Sequence, residues 1–429
     1  MALQSALLGL LAANTALAYP WVSNVPGVDS SMLGPRRSLA SRALPYNNVC
    51  PANPNPHVPA APITAKYPYL GAINGTPGTG KGGVQVPAPG DTAHYFRAPG
   101  QYDIRGPCPG LSKHTDGYTA ANHGFLARDG ITTYNELVDA QQNVYNVGYD
   151  LANLLAIAGV GLDGDLVGTG KLSLGCDATS RTATPGNVLA EELGLDGHNH
   201  FEADTSLTRN DYFLAQGDNH SWNATLFKMM LQTCKGNCNR EALSLYRYNR
   251  YQQSKADNGN FFFGPGSLLL YGAASFLYEL MPTAGGTADE ATMMSFFGAN
   301  KTSSGDYVWN GGERIPPNWF NRVVPYNNQL VGTEIITMYA ENPVLFGGNI
   351  GRNNFNGLNI SSYFTNGKPN AQTASEAMCL IYQALTGAFP SELGQLVDIP
   401  VAVESAIASK LAPMAANFGC PANPNSGSG

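Results

Sequence analysis

The chain is short of charge. Asp, Glu, Lys and Arg make up 13% of its 429 residues, about half the ~25% of an average soluble protein. Basic residues are scarcer still: 24 Lys and Arg against 31 Asp and Glu leave a formal charge of −7. A nucleic-acid binder needs a basic stripe, and charge-driven docking to anionic lipid needs a basic cluster. Neither fits this balance. Long apolar runs are missing as well. The longest after the N-terminus, Leu151 to Leu162, contains Asn153 and falls short of the ~18 apolar residues that span a bilayer. There is no alternation of strand and helix patterns of the βαβ kind. What is abundant is apolar residue, 43%, together with 49 Gly and 29 Pro. The first implies a large core; the second implies long turn-rich connections rather than wholesale disorder.

The N-terminus reads as a secretory signal. The apolar stretch Leu7 to Ala13 precedes Ala16-Leu17-Ala18, an A-x-A cleavage pattern, so residues 1–18 are expected to be removed. Residues 19–66, rich in Pro, Ser and Asn, read as an extended arm or pro-segment, with Arg36-Arg37 as a processing point. Residues 67–429 then form one domain. Seven cysteines suit an oxidising compartment, and their odd number leaves at least one without an intramolecular partner. Cys234 and Cys238 are close enough to close a small loop. Sequons at Asn74, Asn219, Asn223, Asn300 and Asn359 permit N-glycosylation. The expectation is a secreted, extracellular protein.

From Thr132 a helical pattern begins, with Thr132 or Thr133 as cap and Glu136 in the first turn; Leu137 to Leu155 keep a period near 3.6. Similar patterns cover 188–193, 212–216, 223–232, 241–255, 267–280, 287–297, 329–341, 374–385 and 401–415. The predicted class is all-α: a single loop-rich, multi-helix domain with little β.

Three segments could carry chemistry. Gly75 to Gly82 (GTPGTGKG) approaches a phosphate-binding loop, but Gly82 follows Lys81 where Ser or Thr is needed for magnesium, and Pro-rich chain follows instead of a helix. A flexible loop is the better reading. His198, His200, Glu202 and Asp204 form H-x-H-x-E-x-D, which on a strand would put four ligands on one face of a metal-dependent hydrolase; the surrounding LDGHNHFEADTSLTR is not strand-like. Cys108 stands between Pro107 and Pro109, and Pro109 suits the first position of a helix. A thiolate there gains from the helix dipole and from free N–H groups, and can ligate a metal.

Cys108 does not stand alone. Ala121-Asn122-His123-Gly124 follows it, then Glu202-Ala203-Asp204-Thr205-Ser206-Leu207-Thr208-Arg209. In order and spacing these resemble the P-C-P, A-N-H-G and E-x-D-x-S-x-x-R motifs of the fungal haem-thiolate peroxidases, the chloroperoxidase and unspecific peroxygenase family. The resemblance implies the chloroperoxidase type of fold, haem b held by Cys108 as axial ligand, and a magnesium (or manganese) ion on Glu202, the carbonyl of Ala203, and Ser206. It implies hydrogen peroxide and a small organic substrate as reactants, and a Cys379–Cys420 disulfide. Asp204 and Arg209 read as structural and His123 as locally hydrogen-bonded. One departure bears on mechanism. The longer members carry an Arg and, seven residues on, a catalytic Glu; the matching positions here are Gly266 and Ala273. Glu279 is the nearest acid and so the candidate catalytic residue. Phe261, Phe262, Phe263, Leu269 and Tyr271 could line an apolar distal pocket or equally form core.

Overall fold

The computed structural model describes residues 59–97, 118–174, 204–215, 222–310, 312–349, 353–359, 363–386 and 401–421. The structure over these residues is mostly helical. Helices α1 (Tyr118–Asn122), α2 (Tyr134–Tyr145), α3 (Tyr149–Asp163), α4 (Ala224–Cys234), α5 (Arg240–Asp257), α6 (Leu269–Glu279), α7 (Glu290–Phe296), α8 (Asn328–Glu341), α9 (Ala374–Leu385) and α10 (Val401–Phe418) follow in chain order. Small antiparallel pairings lie between them: β1 (Ile131–Thr133) with β2 (Lys171–Ser173), β4 (Ala299–Lys301) with β5 (Tyr307–Trp309), and β8 (Phe364–Thr365) with β9 (Lys368–Pro369). A three-stranded sheet has the order β3 (Phe262–Phe263), β6 (Gly347–Asn349), β7 (Phe355–Gly357). These strands are two or three residues long, too short for their alternation to show in the sequence.

Helix starts are locally encoded. Thr133 and Glu136 form a reciprocal capping box at α2, as do Thr373 and Glu376 at α9. Asn223, Asn239, Asp289 and Asn327 cap α4, α5, α7 and α8 through side-chain oxygens. The long helix expected from Thr132 is two helices. Asn146 takes a left-handed conformation, φ 56°, and its side-chain amide donates to Arg322 O at 2.8 Å. The chain turns there because a distant loop captures the Asn. The expected 212–216 helix is a turn over its described residues, 212–215.

Helix α8 is central. It packs on α6, α9 and α5; α9 continues onto α10, and α10 onto α3. Gly161 permits the last approach: a Cβ there would meet Ile407 Cδ1 at 2.7 Å. The main core gathers Ile157, Phe227, Tyr246, Tyr271, Met338, Phe346 and Ile407. A smaller cluster holds Val86, Phe125, Val144 and Trp319. Among the described residues two disulfides are formed, Cys234–Cys238 between α4 and α5, and Cys379–Cys420 tying α9 to the end of α10.

Candidate active site

Cys108, Glu202, Ala203, His198, His200 and Asn219 lie outside the described residues, as do the N-terminal 58 residues with Cys50, and Cys176. The second half of the E-x-D-x-S-x-x-R motif is described, and it is built onto one face of α5. That face carries Arg247, Arg250, Ser254 and Asn258, all buried, at spacings that place them along one stripe of the helix. Arg247 donates to both the carbonyl and, at 2.8 Å, the hydroxyl of Thr205. Arg250 donates through Nε to Ser206 O at 3.0 Å and pairs with Asp211 at 2.9 Å. Asp211 also accepts from Thr205 N at 3.0 Å and from Ser254 Oγ. Asn258 Nδ2 and Phe262 N donate to Asp204 Oδ2 at 3.1 and 3.0 Å. Asp204 is thus a bracket between the motif, α5 and β3, in keeping with the structural role expected of it.

Two features of this clamp lie outside the E-x-D-x-S-x-x-R pattern itself. Thr205 has φ 71°, a left-handed conformation that costs a β-branched residue free energy and persists only when neighbours enforce it. Arg247 is the enforcing neighbour. Its guanidinium lies over the rings of Tyr271 and Phe263 (5.4 and 6.0 Å to the centroids), and its Nε has no hydrogen-bond partner among the described residues. Burial lowers its pKa to about 10, opposed by Tyr271, so it remains cationic at neutral pH. A signal did exist: two arginines three apart, with Ser and Asn in phase, on a helix face that otherwise reads Leu243, Tyr246, Tyr251.

Ser206, the described member of the predicted cation set, is half-buried. Its carbonyl is taken by Arg250, whereas its hydroxyl makes no hydrogen bond to another described residue. A half-buried hydroxyl left uncommitted beside a fixed backbone suits a hard, oxygen-seeking cation. The described part of the donor set therefore fits such an ion.

His123 is structural, and its tautomer is set by its partners. Nδ1–H donates to His94 O at 2.9 Å, and Nε2 accepts from Ile315 N–H at 3.1 Å. Burial, with smaller contributions from Arg128 and Arg314, lowers its pKa to about 4, against the opposing bond to His94. Neither nitrogen is left for a ligand or a substrate proton.

The wall formed by β3, the 3₁₀ turn Pro265–Leu268 and α6 divides its residues by face. Phe261, Phe263 and Tyr271 are core, packed against Tyr251, Phe346 and Tyr339. Phe262, Leu269 and Leu270 are half-buried; Gly266 and Ala273, seven apart, are exposed, and a Cβ on Gly266 would meet nothing within 4 Å. The opposite face is closed by α8, where Val331 and Ile335 meet Gly272. Glu279 ends α6 in an ion pair with Arg322, which also donates to the Glu279 carbonyl at 3.4 Å. The Glu279 carboxylate is thus tied to Arg322 at the end of the helix.

The loop around Gly75–Gly82 is not flexible in the way its composition implies. Gly75 N and Gly78 N donate to Asp139 and Gln142 of α2, each at 2.9 Å. The amides a phosphate would need are used, one by a carboxylate. Asn74, Asn300 and Asn359 are exposed. Asn223 is not a free acceptor: its oxygen caps α4 and its nitrogen donates to Asn210 at 2.6 Å.

A family profile described as "Peroxidase, family 2" matches residues 94–324, the stretch that holds all three motifs. The chain belongs to the fungal haem-thiolate peroxidase family. It is 30% identical over 345 residues to the dothistromin biosynthesis peroxidase dotB of Dothistroma septosporum, covering 76% of this chain and 81% of that protein. It is 31% identical over 301 residues to an aromatic peroxygenase of Cyclocybe aegerita, covering 68% and 71%. It is 36% identical over 182 residues to the aromatic peroxygenase of Coprinellus radians, covering 41% and 66%. The protein is accordingly an oxidoreductase acting on peroxide, and membership of this family supports haem as its cofactor. Family membership favours peroxide chemistry over the hydrolase reading; of the four residues of that reading only Asp204 is described, and its Oδ2 accepts from Asn258 and Phe262.

Proposed function

We propose that this is a secreted haem-thiolate enzyme that uses hydrogen peroxide to oxidise or oxygenate small apolar organic molecules. The observation that carries the reading is the family match over 94–324, which spans Cys108, Ala121–Gly124 and Glu202–Arg209 in order. Cys108 would hold the haem iron through its thiolate. Glu202, the Ala203 carbonyl and Ser206 would hold magnesium, with the Ser206 hydroxyl presented by a backbone that Arg250 fixes. Thiolate-ligated haem supplies peroxide O–O cleavage. The chain's own contribution is the α6 wall: Phe262, Leu269 and Leu270 offer an apolar surface that excludes water and favours apolar substrates. For oxygenation the balance is R–H plus H₂O₂ giving R–OH plus water. Halide oxidation is less favoured.

Gly266 and Ala273 support a second reading, a relative that holds haem but turns over peroxide slowly. No acid stands on the exposed face of α6, and Glu279 is engaged by Arg322. Loss of a positioned acid–base group typically costs ~10²–10⁴-fold. Two measurements test these readings. The reduced carbonyl complex should show the long-wavelength Soret band of thiolate ligation, and Cys108→Ala should lose it; a band that survives the substitution refutes the ligand assignment. Turnover of an aromatic substrate with ¹⁸O-labelled peroxide should place label in the product; haem content without peroxide-dependent product favours the second reading.

A further inference from the structure

Two buried arginines one turn apart on α5 are more cation than a core normally accepts unpaired. Arg250 has a direct carboxylate partner in Asp211. Arg247 spends its hydrogen bonds instead on a single residue, Thr205, gripping its carbonyl and its hydroxyl together. That residue is the one held left-handed, φ 71°, and it immediately precedes Ser206. The direction of the Ser206 side chain depends on the rotation of the Thr205–Ser206 peptide. That peptide has its carbonyl on Arg247, while Asp211 takes the preceding N–H and Arg250 the following carbonyl. Four hydrogen bonds are thus made around one strained residue, and among the described residues Arg247 supplies both of those that reach Thr205's own oxygens.

We propose that Arg247 is a positioning residue: it holds Thr205 in its left-handed conformation and thereby aims the Ser206 hydroxyl at a divalent cation. This rests on the assignment of Ser206 as a cation ligand, and it adds to that assignment a residue that touches neither cation nor substrate. Partners one shell out from a metal commonly change its affinity 10–100-fold when removed. Glycine adopts φ near +70° without help, so the need for Arg247 disappears where Thr205 is replaced by Gly.

The test uses the full-length holoprotein, stripped with chelator and titrated with MnCl₂, bound and free Mn²⁺ being read by electron paramagnetic resonance. Wild type should bind Mn²⁺, and Ser206→Ala should weaken it. Arg247→Lys, which keeps the charge but loses the two-pronged grip, should weaken Mn²⁺ by ~10-fold or more. Adding Thr205→Gly to Arg247→Lys should recover most of that loss, a rescue that a merely space-filling Arg247 would not give. Should Arg247→Lys fail to fold, the pair Thr205→Ala and Thr205→Gly decides with Arg247 intact. Both remove the hydroxyl, but only Ala keeps the backbone strain, so Ala should bind Mn²⁺ more weakly than Gly; equal affinities overturn the proposal. Weakened binding in Ser206→Ala with unchanged binding in Arg247→Lys overturns the positioning role alone. Wild type that binds no Mn²⁺, or Ser206→Ala that binds it as wild type does, overturns the cation assignment beneath it.

Discussion

His123 makes the folded state sensitive to mild acid, and the size of the effect follows from its surroundings. Its imidazole is buried between a carbonyl acceptor and an amide donor. Protonation would put a second proton on Nε2, facing the Ile315 N–H, close to Arg128 and Arg314. The folded pKa is therefore lowered to about 4 from 6.5. Between those values the unfolded chain binds more protons than the folded one, so stability from this group is present above pH ~6.5 and is lost as pH falls towards 4. Linkage with these two values gives about 2 kcal/mol lost between pH 7.5 and pH 5, and about 3 kcal/mol by pH 4. The assay is urea unfolding of the wild type and His123→Gln at a series of pH values. The variant should be less stable at pH 7.5, because His94 O and Ile315 N–H lose a well-placed partner, at ~1–3 kcal/mol for each group left unsatisfied. The gap should then narrow by about 2 kcal/mol on going to pH 5, since Gln does not titrate. A gap that stays constant with pH would refute the neutral, doubly bonded histidine.

Other expectations are independent of this one. Removing the Cys379–Cys420 bridge, which spans 41 residues, as Cys379→Ser with Cys420→Ser should cost about 4 kcal/mol on the chain-entropy estimate, seen as an earlier urea midpoint. Asn223→Ala should cost ~1 kcal/mol through loss of the α4 cap. Peptide mapping of the protein should find sugar at exposed Asn74, Asn300 and Asn359 but none at Asn223; a glycan on Asn223 would contradict the bond its nitrogen donates to Asn210. Glu279→Gln should leave peroxide turnover within about threefold and change stability by ~1 kcal/mol or less; a loss of ~10²-fold or more would restore Glu279 as the catalytic acid.

Helix boundaries and the order of the three motifs could be read along the chain because both are local. A Thr–Glu capping box spans four residues, and A-N-H-G or E-x-D-x-S-x-x-R fits within eight. The sequence by itself therefore determined the helical class, most of the helices and the family. Pairings between distant segments followed no local rule. Thr205 meets Arg247 across 42 positions, and Asn146 ends a helix because Arg322, 176 positions away, offers it a carbonyl. Periodicity marked Phe261, Phe263 and Tyr271 as apolar but could not say whether they faced a pocket or a core; packing against Tyr251, Phe346 and Tyr339 settled that. Composition made the Gly75–Gly82 loop look loose, and α2 ties it down through Asp139 and Gln142. Glu279 pairs with Arg322, 43 positions away, a contact that no local pattern foretold. Only the tertiary structure could decide these, because each depends on what a side chain meets once non-neighbouring segments have packed.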